Sequence, residues 1–174
     1  MLGAYYYWHS RNKKPVPNVS SITTKSKTMQ ITSPAFGENE SIPSKFTCDG
    51  ESVSPALEIS GIPESAKSLA IIIHDPDAPV SGGFTHWVVF NVNPDIKEIK
   101  ENSVPENAIE GTIGTGKTGY TGPCPPSGTH HYQFRLYALD SRLALDSSAE
   151  KEDVEKAMEG HVLDQAILVG LYKR

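Results

Sequence analysis

Fourteen glycines and thirteen prolines punctuate a chain of 174 residues, and this density limits what the chain can become more than any motif does. Proline removes a backbone donor and breaks helices, and glycine in a helix interior costs roughly 1 kcal/mol relative to alanine. Between turn clusters such as Pro63-Glu64-Ser65, Asp75-Pro76-Asp77 and Ser81-Gly82-Gly83, the apolar runs are short. They are rich in Val, Ile, Phe, Tyr and Thr, which suit a pleated, half-buried surface. The pattern predicts strands over Gln30–Ser33, Ser44–Cys48, Ala56–Ser60, Leu69–His74, Trp87–Val92, His130–Leu139 and Ala166–Leu171. One helix stands late in the chain. Ser147-Ser148-Ala149-Glu150 reads as a capping box, with Ser147 as cap and Glu150 reaching back. Val154, Ala157, Met158 and Val162 follow at helical spacing, and Gly160 is its terminator. With most strands joined without a helix, the expected class is mainly β, largely antiparallel or Greek-key rather than doubly wound.

The length suits one domain, able to hold a core without staples. No run of 18 apolar residues exists, so no complete membrane-spanning helix is expected. Charge divides the chain. Residues 1–28 carry Arg11, Lys13, Lys14, Lys25 and Lys27 and no acid. The remaining 29–174 hold 11 Lys and Arg against 21 Asp and Glu, a balance of −10. The expected organisation is a disordered, basic, aromatic-headed tail over 1–28 and one domain over 29–174. An acidic body argues against a nucleic-acid backbone as partner. The apolar head is too short for a signal core and no small-residue cleavage site follows it. The expected location is therefore cytoplasmic, or exported or surface-anchored if the true N-terminus is longer. Cys48 and Cys124 are the only cysteines, and the sequence leaves open two buried thiols or one disulfide.

Residues 111–118, GTIGTGKT, fit the phosphate-loop pattern G-x-x-x-x-G-K-[ST]. The context opposes a nucleotide site. A working loop joins a buried strand to a helix N-terminus that faces the phosphates. Here NSVPENAIE precedes it, and GYTGPCPPSG, with three prolines and three glycines, cannot open a helix. A glycine-rich loop can still offer amides to a small anion.

Candidate chemistry gathers in three motifs, HDPDAP at 74–79, THW at 85–87 and GTHHYQF at 128–134. By alternation Ile71, Ile73 and Asp75 share one strand face and His74 takes the other. His86, Val88 and Phe90 fall on one face, Trp87 and Val89 on the opposite one. His130, Tyr132, Phe134 and Leu136 align, with His131, Gln133 and Arg135 behind them. Polar residues that begin an otherwise apolar face make a pocket at a sheet end, with an apolar floor and a polar mouth. No recognised metal-ligand spacing and no G-x-S-x-G elbow is present, and nothing marks Cys124 as an activated thiol.

FTCDG (46–50), SPAL (54–57), DPDAP (75–79), HWVVFNV (86–92), GYTGPCPPSG (119–128) and HHYQFRLYALD (130–140), with the late helix, span 29–174 in order. Together they resemble the phosphatidylethanolamine-binding protein, or Raf-kinase-inhibitor-like, family, most of all its bacterial and archaeal branch. The resemblance implies an antiparallel Greek-key β-sandwich, a large sheet on a smaller one, with a helix toward the C-terminus. It places an anion pocket at Asp75, His86, Gly122, Pro123, His130 and Tyr132, with Phe84 where many members carry an aromatic residue. His131 stands where many members have Arg. The implied role is a non-enzymatic binding protein for a small phosphorylated or carboxylated ligand, with no cofactor. Histidines, the Tyr132 hydroxyl and loop amides would donate to the anion, and Asp75 would fix the donors. The alternatives are a serine protease or kinase inhibitor acting through a surface loop such as 111–128, and a metal-dependent enzyme using His86, His130 and Asp75. A homodimer is a further implication of the resemblance.

Overall fold

The computed structural model describes residues 28–174. The tail expected over 1–28 therefore lies outside the described residues, save Thr28. Three strands make a small sheet in the order β1 (Gln30–Thr32), β3 (Leu57–Ser60), β6 (Glu98–Ile99). Six make a large one in the order β2 (Glu40–Ser41), β9 (Val162–Lys173), β8 (Thr129–Leu139), β4 (Ser68–Asp75), β5 (Phe84–Val92), β7 (Ile109–Glu110). Every pairing is antiparallel except β2 on β9. The expected mainly β, two-sheet architecture with one late helix holds.

Period-two alternation gives the large sheet two apolar faces, and each finds its own cover. Ile71, Ile73, Trp87, Val89, Tyr132, Phe134 and Leu136 face the small sheet and pack against Ile31, Leu57, Ile59 and Ile99. Ala70, Ile72, Val88 and Phe90 face outward and are sealed by Leu143, Ala149, Val154 and Met158. Burying both faces explains why β4 reads as a nearly unbroken apolar run.

Three local expectations are corrected. Ser44–Phe46 is a 3-10 turn, not part of a strand. Pro43 presets the turn, and its carbonyl and that of Ser44 accept the Phe46 and Thr47 amides locally, which leaves no ladder to join. The helix, α1 (Lys151–Met158), is capped by Glu150 rather than Ser147. The reciprocal box is present three residues later than expected, between Glu150 and Asp153. Asp146 takes the Ser148 amide and hydroxyl in a turn of its own, and so displaces the earlier cap. Val162 does not continue the helix; Gly160, at φ +77°, turns the chain and Val162 opens β9.

The third correction concerns β5. Ile73 pairs with Trp87 but His74 pairs with Thr85, so His86 has no opposite number. A second slip lies between Leu69 and Ile71, which pair with Val92 and Val89. Two β-bulges therefore interrupt one strand, and each re-aims a side chain. His86 leaves the Val88–Phe90 face that simple alternation assigned to it. It joins the face of Ile73, Asp75 and Tyr132.

Candidate functional site

The C-terminal end of β4, the start of β5 and the start of β8 meet beside the 119–126 loop. There they surround a cavity of about 230 Å³. Asp75, His86, Gly122, His130 and Tyr132 all line it. Pro123 does not; it is buried behind the wall, where its carbonyl accepts the Cys48 amide at 3.0 Å. Sequence reasoning gave Val80, Thr121, Pro125 and Pro126 no place in the site, yet they complete the wall. Only their neighbourhood in the DPDAP and GYTGPCPPSG motifs signalled them.

The loop is fixed by ties made elsewhere. Cys48 and Cys124 form a disulfide here, one of the two states left open by the sequence. It closes a span of 76 residues, and a crosslink of that size removes about 4–5 kcal/mol of unfolded-chain entropy in the chain-entropy view. The Gly122 amide donates to Ser52 Oγ at 2.9 Å and the Thr121 amide to the His86 carbonyl at 2.9 Å. Tyr120 Oη donates to the Phe46 carbonyl at 2.8 Å. A Cβ on residue 122 would come within 2.7 Å of the Thr47 backbone, so the loop lies this close only because residue 122 is glycine. Because the Thr121 and Gly122 amides are already used, they are not free to hold an anion as expected.

The polar floor has a fixed hydrogen-bond order. Asp75 is 3% exposed; its Oδ1 accepts the Asp77 amide at 2.9 Å and its Oδ2 faces His130 Nδ1 at 2.7 Å. A carboxylate can only accept, so Nδ1 carries the proton and the His130 ring is held in one orientation. His86 Nδ1 meets the Thr121 carbonyl at 2.7 Å and donates to it. Burial brings the His86 pKa down to about 4, against partial support from that carbonyl. The ring is therefore neutral at physiological pH, and its Nε2 is an acceptor, not the donor expected. Tyr132 Oη is buried and, among the described residues, has no hydrogen-bond partner. It lies beside Asp75 and the Cys124 backbone. Burial, and then the Asp75 charge, push its pKa far up, so the hydroxyl stays protonated. Phe84 and Tyr132 meet the His86 ring edge-on at 4.8 and 5.2 Å between centroids. The result is an oriented histidine, a neutral histidine and an unsatisfied hydroxyl at the floor of an apolar hollow.

The phosphate-loop segment is elsewhere and differently built. Its Gly111, Thr112, Ile113 and Gly116 amides donate to the carbonyls of Val88, Ala149, Lys117 and Ile113 at 2.8–2.9 Å. Thr112 and Thr118 bridge as a tight hairpin, and no helix follows. Gly111 is small because the Ala149 carbonyl would lie 2.5 Å from a Cβ. Among the described residues no three His, Cys, Asp or Glu are grouped to hold a metal ion, and no helix is long and apolar enough to cross a membrane.

Comparison with known proteins gives one consistent answer. Residues 32–173 match the family model described as phosphatidylethanolamine-binding protein. The chain is 52% identical over 151 residues to the UPF0098 protein of Methanothermobacter thermautotrophicus, covering 84% of this chain and 99% of that one. Among solved structures it is similar to a phosphatidylethanolamine-binding protein homolog from Chlamydia trachomatis. That match has a TM-score of 0.82 and 40% identity, over 86% of this chain and 99% of the other. It is also similar to Escherichia coli YbcL, a member of the mammalian PEBP family, with a TM-score of 0.80 and 30% identity, over 84% and 98%.

Proposed function

The chain belongs to the phosphatidylethanolamine-binding protein family, and on that premise we propose that it is a non-enzymatic binding protein whose cavity takes a small phosphorylated or carboxylated group. The observation that carries this is the Tyr132 hydroxyl, buried and unpartnered beside the fixed His130–Asp75 pair. A buried hydroxyl without a partner costs about 1–3 kcal/mol, which an oxyanion accepting from it would recover. Recognition fits the wall better than catalysis: Cys124 is held in a disulfide and, among the described residues, no lysine or serine lines the cavity. The test is a backbone NMR titration of the full chain with phosphoethanolamine, with ATP as competitor. Saturable shifts at His86, Gly122, His130 and Tyr132 are expected; no shifts there would end this reading.

A second reading, inhibition of a protease or kinase through a surface loop, is favoured by the 111–118 hairpin. Its tip at 114–118 is exposed while its base is hydrogen-bonded to the sheet. Substitutions at Asp75 or Tyr132 would leave such inhibition intact and abolish ligand binding. A homodimer would use β9, where Val162, Leu163 and Ile167 are 43%, 40% and 51% exposed; sedimentation at two concentrations reads it directly. The cytoplasmic expectation meets one opposing feature. Disulfides are bonds of oxidising compartments and of hyperthermophile interiors. Thiol titration of protein isolated with alkylation in place would show in which state Cys48 and Cys124 exist.

A further inference from the structure

We propose, on the basis of the binding role above, that the cavity selects a phosphoryl group that still carries a hydroxyl over a sulfate or a carboxylate, with the P–OH donating to His86 Nε2. The two histidines of the cavity are inequivalent. His130 leans on a carboxylate, which can offset a charged ring; His86 leans on a carbonyl, which cannot. Because Thr121 O only accepts, the single proton of a neutral His86 is fixed on Nδ1, and Nε2 is a lone pair. Among the described residues Nε2 has no hydrogen-bond partner, whereas each Asp75 oxygen already accepts one bond. Among the described residues no lysine or arginine lines the wall. The Asp75–His130 pair adds at most a neutral sum, so the described wall offers a bare dianion no net positive charge and at least one repelling lone pair, that of His86.

A phosphoryl group bearing one proton reverses both terms. Its hydroxyl donates to Nε2, one of its oxygens accepts from Tyr132 Oη, and it brings one negative charge fewer than the bare dianion. The low pKa of His86 agrees with this division, since the ring stays an acceptor across the range in which phosphate monoesters lose their second proton. Sulfate and carboxylates carry no proton near neutral pH and cannot make this bond. They would leave the lone pair of His86 buried against an anion.

The experiment is calorimetric titration of the full chain with inorganic phosphate, sulfate and acetate at one pH near neutrality and constant ionic strength. One satisfied against one frustrated hydrogen bond corresponds to at least about tenfold tighter binding of phosphate. Sulfate or acetate binding as tightly as phosphate would overturn the selection and leave the binding role standing. No binding of any of the three, with none of phosphoethanolamine, would overturn both. Histidine nitrogen NMR gives a second readout. A pyridine-type Nε2 on His86 in the free protein, still unprotonated but shifted in the phosphate complex, is expected. A doubly protonated His86 ring in the complex would refute the assigned role.

Discussion

Two histidine–aspartate pairs join the 75–77 turn to the start of β8, one residue apart. Both span 2.7 Å from Nδ1 to Oδ2. In His130–Asp75 the side chains are 9% and 4% exposed; in His131–Asp77 they are 55% and 41% exposed. Strand alternation makes the difference, turning His130 toward the cavity and His131 away from it. Equal distances do not mean equal consequence. In water a charge pair gains little over solvation, whereas a buried partner left alone is costly. The inner pair can orient a ligand because nothing else competes for its hydrogen bonds, and the outer one mainly steadies the rim.

The largest effect should come from breaking the inner pair. Asp75→Ala is expected to lose about 3–5 kcal/mol in chemical denaturation and to abolish phosphoethanolamine binding. A loss below about 1 kcal/mol would show that the two pairs are not different in kind. The next effect adds His86 as a third case, buried with no carboxylate bonded to it. Its folded pKa, about 4, lies below the ordinary 6.5, so the unfolded chain takes up the proton first. The stability it permits is complete above about pH 6.5 and is lost as pH falls toward 4, by up to about 3 kcal/mol. Stability against pH for wild type and His86→Gln should diverge in that window and nowhere above it. Asp77→Ala comes third, at about 0.2–1 kcal/mol and less in high salt. Its hydrogen bonds to His131 hold the Asp77 carboxyl below the usual range. That small contribution is therefore present above the ordinary carboxylate pKa and is lost only as pH falls through and below it. Lys117→Ala should change stability by no more than about 0.5 kcal/mol and leave ATP without effect; ATP-dependent stabilisation of wild type that this variant removes would give the phosphate-loop pattern a function after all.

Much of this arrangement is legible in the residues. Alternation groups Asp75 with Ile71 and Ile73 on one strand and His130 with Tyr132 on another, and GYTGPCPPSG has too many prolines to be anything but a loop. What is not legible depends on contacts distant in sequence. Ser44–Cys48 has strand composition, but Pro43 and Thr47 satisfy its backbone locally. Ser147 has the chemistry of a cap, but Asp146 reaches Ser148 first. The acceptor state of His86 depends on one carbonyl 35 residues away. Its very presence in the cavity depends on a bulge, which a pattern of period two cannot foresee. GTIGTGKT misleads for the complementary reason: the letters are right, but the backbone amides that would define the function are spent on neighbouring carbonyls.

The bulge at residue 86 also bears on how insertions and deletions in such chains should be weighed. Because His86 is surplus to the ladder, its removal would make the Ile73–Trp87 and His74–Thr85 pairs consecutive and leave an unbroken register from Ile71 to Asp75. A single codon lost here would thus remove one wall of the cavity without breaking the fold, while a codon lost one turn of the pleat later would misplace every residue of a buried strand. A gap opposite His86 in an aligned relative is therefore worth more than a substitution there, because it marks a chain that kept the architecture and gave up the cavity.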